Sequence, residues 1–310
     1  MVTTRILFGT LMTLIAFGVI ALDAHFAHGW HSVQDSPIWQ RLLNRGGLSA
    51  LLVLVLTVAA VIEFNRLLER GGLHPLRAWT ATLSAALVLT PWLTAVFSER
   101  AAALLDLRIT MVILVAGLVG SAIVLIARRQ PANGLLGLGT AMLAVIYVGL
   151  LMSFAVRLRV SHPGPPGAWV ALLWAAVVKF TDVGAFFTGL TIGRTPLIPS
   201  ISPNKTVQGF LGGIITGVII GLLIYLVLPP VRPCFALTRP PHIYLLVFAI
   251  VMSVAGQLGD LVESLFKRSV QAKDSGAVIP EFGGILDVID ALLLTAPIAW
   301  LMLSPWPTGA

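Results

Sequence analysis

The chain has 310 residues, of which 57% are hydrophobic and only 11% charged. Soluble domains carry roughly 25% charged residues, so this composition excludes a soluble globular enzyme and a disordered chain and leaves a polytopic membrane protein. A single cysteine, Cys234, excludes an intramolecular disulfide framework and a cysteine-cluster metal centre, and the formal charge of +7 points to anionic headgroups and phosphorylated substrates rather than nucleic acid.

A helix that crosses a bilayer needs about 20 mostly apolar residues. Runs of that kind predict about nine spans, near 6–23, 47–63, 77–97, 109–127, 133–156, 167–190, 207–229, 242–266 and 284–304. Pro163, Pro165 and Pro166 break the helix between the fifth and sixth. The first run is longer than the core of a signal peptide and more spans follow, so it reads as a retained anchor. No interval is long enough for a soluble domain. The expected architecture is all-α: one integral membrane domain over residues 1–310, with a polar cavity open to the cytoplasm. Residues 1–160 have no assigned role in it, and 165–305 carry the chemistry. With the N-terminus inside, the loops on its face carry eleven Lys and Arg against eight on the other. That bias puts the N-terminus and both unusual polar loops in the cytoplasm.

An ionisable group near the bilayer centre costs roughly 2.5–3.5 kcal/mol, so such groups mark cavities with partners. Seven of the thirteen acids fall between Asp182 and Asp290, and none lies between Asp106 and Asp182. The chemistry therefore belongs to the second half. Lys179 and Asp182 are three apart in an apolar run and share a helix face, which also suits a purely structural ion pair. Ser202, Pro203, Asn204, Lys205 and Thr206 stand just before a helix start, where free N–H groups and the dipole favour an anion. The loop lacks the Walker A order, and an ordinary cap with a solvated lysine would look the same.

The second cluster is denser. Asp260, Glu263 and Lys267 recur at i, i+3 and i+7, one helical stripe, with Ser264 and Arg268 beside them. Lys273 and Asp274 follow, and the last span opens with Asp287 and Asp290 on one face. Hard oxygen ligands with phosphate-sized basic groups nearby suit Mg²⁺ and a polyphosphate. All six histidines lie outside these motifs, which excludes zinc chemistry there.

Taken together, Ser264, Lys267, Arg268, Lys273, Asp274, Ser275, Gly276, Pro280, Gly283, Gly284, Asp287 and Asp290, in this order and spacing, closely resemble the signature of the phosphatidate cytidylyltransferases, the CDP-diacylglycerol synthases. The stretch from Asp182 to Gly209 is similar to that family's upstream motif. The resemblance covers roughly Lys179 to Asp290; residues before about 165 match only in hydropathy and number of spans. Two positions depart from the family pattern. Phe282 stands where a histidine is usual and Val288 where an arginine is usual, which removes a phosphate contact and a countercharge.

The resemblance implies transfer of CMP from CTP to phosphatidate, giving CDP-diacylglycerol and pyrophosphate, with Mg²⁺ as cofactor. It assigns Asp260, Asp287 and Asp290 to metal, Lys267, Arg268, Lys273 and Lys205 to phosphates, and Ser202, Asn204 and Thr206 to orienting them. Asp182 and Asp274 position the basic groups. The compact loops favour a bacterial inner membrane over that of an organelle, and the Lys and Arg bias puts the site at its cytoplasmic face; a second cation and a homodimer stay open. Two other classes fit parts of the pattern: a polytopic transporter with midplane charges, and a CTP-dependent lipid-alcohol kinase that moves the γ-phosphate instead.

Overall fold

In hydrocarbon every backbone N–H and C=O has to be satisfied within the chain, and long apolar runs do this as helices. The computed structural model describes residues 2–27, 37–98, 102–129, 134–162, 164–235, 240–271 and 284–304, with the side chains of the first helix from residue 14 onward. Helix α1 is Val2–Phe26, followed by the short α2 (Ile38–Asn44), α3 (Gly47–Arg70), α4 (Arg77–Phe97) and α5 (Ala102–Ala127). Helix α6 (Gly134–Ala144) runs through a π-helical turn, Val145–Leu150, into α7 (Leu151–Ser161) as one continuous rod. Then come α8 (Pro165–Ile192), a hairpin of β1 (Pro196–Ile198) and β2 (Ser202–Thr206), α9 (Val207–Val227), α10 (Pro241–Ser269) and α11 (Ile285–Leu303).

Among the described residues eight helical segments are long and apolar enough to cross a membrane: α3, α4, α5, the α6–α7 rod, α8, α9, α10 and α11. They coincide with eight of the spans expected from hydropathy. The remaining one, near 6–23, falls inside α1, Val2–Phe26. The protein is an all-α integral membrane protein, as its composition requires. Among the described residues the antiparallel β-hairpin between α8 and α9 is the one departure; its strands pair Pro196 with Thr206 and Ile198 with Ser202.

Pro165 and Pro241 start α8 and α10 at the first turn, where a missing N–H costs nothing. Side chains such as Leu135, Ile126 and Leu190 lie open on the outer surface, as lipid-facing positions do. Inside, one cluster of buried side chains joins α7, α8, α10 and α11 through Leu158, Leu173, Trp174, Phe248, Met252 and Ala296. A second joins α3 to the α6–α7 rod and α11 through Phe64, Leu67, Val148, Leu286 and Ile289. Val288 packs on the edge of this second cluster, so an apolar side chain has a place at the position where the family pattern has an arginine.

Helix α9 packs along α8 through a seam of small residues. A Cβ on Gly212 would come within 2.2 Å of the Thr188 hydroxyl, and one on Gly217 within 2.2 Å of the Ser253 hydroxyl of α10. Lipid offers no hydrophobic drive for helices to associate, so close backbone approach and interhelical hydrogen bonds do the work. Thr181 and Ser253 hydroxyls bond each other at 2.8 Å across this junction. At the other end of the rods, the fully buried Arg159 of α7 donates to Asp23 of α1 at 2.6 Å, and Ser49 of α3 donates to the same carboxylate at 2.9 Å.

Candidate active site

The C-terminal halves of α8 and α10, the hairpin before α9 and the first turns of α11 meet at one end of the bundle. The C-terminus of α3 reaches the same end, because a Cβ on Gly71 would touch Val270 just beyond α10.

The α10–α11 crossing sets the geometry. Gly259 lies so close to α11 that a Cβ there would stand 2.7 Å from the Asp290 carbonyl oxygen and 3.1 Å from Ala291 Cα. Without a side chain at this position the two backbones touch, and the acids that flank the contact converge. Carboxylate oxygens of Asp260, Glu263 and Asp290 all lie within 4.8 Å of one another. Glu263 is fully buried and Asp290 nearly so. Neither oxygen of Glu263 has a hydrogen-bond partner among the described residues, although Lys267 neutralises it as an ion pair one turn along α10. Three converging hard oxygens, one buried carboxylate with unused lone pairs and basic groups alongside fit a divalent cation such as Mg²⁺.

Basic side chains thread between these acids. Lys205 of the hairpin pairs with Asp260 at 2.7 Å and donates to the Gln257 carbonyl at 3.4 Å. Lys267 pairs with Glu263 and, at 2.7 Å, with Asp287. The other Asp287 oxygen accepts the Gly284 N–H at 2.6 Å and closes the first turn of α11. Lys179 pairs with Asp182 at 3.3 Å, and both act electrostatically on the cluster, Lys179 on Asp290 and Asp182 on Asp260 and Lys205. Arg268 donates to the Ile201 carbonyl at 3.3 Å, which ties α10 to the hairpin turn. Thr206 is the N-cap of α9, its hydroxyl accepting the Gly209 N–H at 3.1 Å, while Ser202 and Asn204 stand further along the same strand.

The residues expected from the sequence are thus largely gathered: Asp182, Lys205, Asp260, Lys267, Asp287 and Asp290 meet at one end of the bundle. Asp287, expected among the metal ligands, is turned to Lys267 and Gly284, and Glu263 completes the three-carboxylate group instead. Lys273 and Asp274, expected beside the phosphates, and the departing Phe282 lie outside the described residues.

Three contributors were not singled out as site residues from the sequence. Glu263 shares the stripe of Asp260 and Lys267, so its spacing could have named it. Lys179 was visible only as a partner for Asp182. Glu63 closes α3's apolar run; it is buried and accepts the Leu286 N–H at 2.8 Å, so α3 caps the helix that carries Asp287 and Asp290. An acid in an apolar span was its only signal.

Comparison with known proteins agrees with this geometry. The model of the cytidylyltransferase family matches residues 41–306. A phosphatidate cytidylyltransferase of Bacillus subtilis (strain 168) is 40% identical over 166 residues, which covers 54% of this chain and 58% of that relative. A phosphatidate cytidylyltransferase of Staphylococcus saprophyticus is 37% identical over 162 residues, 52% of this chain and 57% of the relative. The chain spans a little over half the length of the curated relatives it matches. With its family model covering most of the sequence and the acid-rich crossing of α10 and α11 inside the match, the chain belongs to the cytidylyltransferase family.

Proposed function

We propose that this protein transfers CMP from CTP to phosphatidate, forming CDP-diacylglycerol and pyrophosphate at the cytoplasmic face of a bacterial inner membrane. The convergence of Asp260, Glu263 and Asp290 with Lys205 and Lys267 at one end of the bundle carries the reading. Transport through the bilayer has no use for such a concentration of acids and ammonium groups at one surface. The excess of Lys and Arg on the loops at this end supports the cytoplasmic assignment.

In the proposed reaction a phosphate oxygen of phosphatidate attacks the α-phosphorus of CTP. The bond to the bridging oxygen of the β-phosphate breaks, and the electron pair leaves with pyrophosphate. The nucleophile is already anionic, so no general base is needed. The obstacle is repulsion between two polyanions and the charge that builds on the transferred group. Asp260, Glu263 and Asp290 would hold Mg²⁺, which when bound supplies positive charge beside the polyphosphate. Lys205, paired with Asp260 at 2.7 Å, would offer its ammonium to a phosphate oxygen. Lys267 keeps Glu263 and Asp287 neutralised and presents its remaining N–H bond to substrate. Arg268 and, from the neighbouring segment, Lys273 add further phosphate contacts, with Asp274 positioning them. Ser202, Asn204 and Thr206 line the approach along the hairpin, and Asp182 holds Lys179 beside Asp290. The lipid enters sideways from the bilayer, and CTP arrives from the water at the hairpin.

The test is to incubate purified protein with CTP labelled at the α-phosphate, phosphatidate vesicles and Mg²⁺. Label on the lipid together with released pyrophosphate is the expected result, abolished by chelation. Transfer of γ-label to a lipid alcohol, or uptake of solute into vesicles with no bond broken, overturns the reading.

A further inference from the structure

The α6–α7 rod contains a feature that the reaction above does not use. Its π-helical turn, Val145–Leu150, interrupts a continuous span of 28 residues, and such turns cost hydrogen-bond geometry, so they persist where they place a side chain for a purpose. Across the turn, Gly149 lies against α4 so closely that a Cβ would stand 2.7 Å from Ser84 Cα. Two residues before this contact, the chain faces α3 and α10.

Tyr147 is the polar residue of this turn. Its ring packs edge-on against Phe266 of α10 at 5.0 Å between centroids, and against Phe64 of α3 at 5.7 Å. Phe266 is one turn from Glu263 and adjacent to Lys267, so the phenol stands at the level of the acidic cluster. The side chain is 7% exposed, and its hydroxyl has no hydrogen-bond partner among the described residues. Asp290, Glu263 and Asp260 all act electrostatically on it. A buried O–H with no acceptor is costly, and so is a buried carboxylate with no donor. Tyr147 carries such an unpaired O–H, and Glu263, whose countercharge is Lys267, acts on it electrostatically; a water between them would give the phenol an acceptor and the carboxylate a further donor.

We propose that Tyr147 is a positioning residue for the cation site, its hydroxyl donating to a water that in turn donates to Glu263 and one other carboxylate of the Asp260, Glu263 and Asp290 group, fixing their orientation. This rests on the reading that those three acids hold a divalent cation. The inference gives the first 160 residues a direct part in the chemistry, because the donor comes from the N-terminal half while the acceptors come from α10 and α11.

The test uses Tyr147→Phe, which keeps the ring and its packing and removes only the oxygen. Thermal unfolding of the purified full chain in detergent is followed against Mg²⁺ concentration, alongside transfer activity. In the wild type the unfolding midpoint should rise with Mg²⁺. In Tyr147→Phe the half-saturating Mg²⁺ concentration should rise about tenfold in both assays, the scale of one hydrogen bond to a charged group. The rate at saturating Mg²⁺ and the KM for CTP should change much less. Phe266→Leu serves as the packing control: it should lower the midpoint in chelator yet leave the half-saturating Mg²⁺ concentration where it was. If the wild type responds to Mg²⁺ and Tyr147→Phe follows the same curve, the role assigned to Tyr147 is overturned while the cation site stands. An equal shift in Phe266→Leu also overturns it, by tracing the effect to packing. A wild type whose midpoint ignores Mg²⁺ overturns the cation site and this inference with it.

Discussion

Replacing Gly259 by alanine tests whether the backbone contact between α10 and α11 sets the active-site geometry. The added methyl would meet the Asp290 carbonyl oxygen at 2.7 Å and Ala291 Cα at 3.1 Å, both backbone atoms that no rotamer change can move. Ordinary contact requires about 3.4 Å, so the crossing must open by about 0.7 Å, at a cost of about 1–3 kcal/mol for overpacking. The opening falls between Asp260 and Asp290, which in the proposed reaction would close on Mg²⁺, an ion that demands oxygens at about 2.0–2.1 Å in near-octahedral order. A displacement approaching 1 Å in such a site costs on the order of a hundredfold in rate. We therefore expect Gly259→Ala to lose ten- to a hundredfold in CMP transfer per folded molecule, with a raised Mg²⁺ requirement. Gly256, one turn earlier, is the matched control. Its Cβ would meet only side-chain atoms, Val178 Cγ1 at 3.2 Å and others beyond 3.7 Å. Gly256→Ala should keep its activity and gain up to about 1 kcal/mol of helix propensity. Transfer of α-labelled CMP, normalised to monodisperse protein after size exclusion, measures both. Activity of Gly259→Ala within threefold of wild type, at unchanged Mg²⁺ dependence, would refute the claim that this contact sets the site.

Lys267→Met leaves Glu263 without its countercharge and removes one partner of Asp287, and stripping one partner from a buried pair costs about 3–5 kcal/mol; the yield of folded protein and its transfer activity should both collapse. Glu63→Gln keeps an acceptor for the Leu286 N–H and should retain most activity, whereas Glu63→Leu uncaps α11 and should lose at least tenfold, a split that steady-state kinetics reads directly. Asp23→Ala strands the buried Arg159 guanidinium at the end of the bundle away from the acids. Its unfolding midpoint in detergent should fall sharply while the rate per folded molecule stays near wild type.

The sequence exposes the membrane class and most of the acid cluster, because both depend on local rules. Apolar length defines eight of the described helices, and the i, i+3, i+7 spacing alone puts Asp260, Glu263 and Lys267 on one stripe. What could not be read depends on contacts between distant segments. Glu63 meets Leu286 across 223 positions, and no periodicity within α3 announces that partner. The π turn at Tyr147 coincides with the close fit of Gly149 against Ser84, a tertiary contact with no local signature. That Asp287 meets Lys267 and the Gly284 N–H while Glu263 joins Asp260 and Asp290 depends on the crossing of α10 and α11. The hairpin was hidden for a different reason: Ser202–Thr206 carries Pro and Asn, poor strand residues, and its pairing is completed by β1 rather than by propensity.

The seam on α9 divides that helix's tolerance to change by direction. Its outer side, including Leu211, Ile215, Ile219 and Leu226, stands in lipid and asks only for apolarity. Its inner side admits hydrogen alone at Gly212, Gly213 and Gly217 and relaxes toward Gly221, whose nearest neighbour would be 3.3 Å away. A saturation scan along this segment should therefore return a ribbon of forbidden substitutions that winds once per turn and fades toward the end remote from the hairpin, on a helix whose hydropathy gives no hint of two sides.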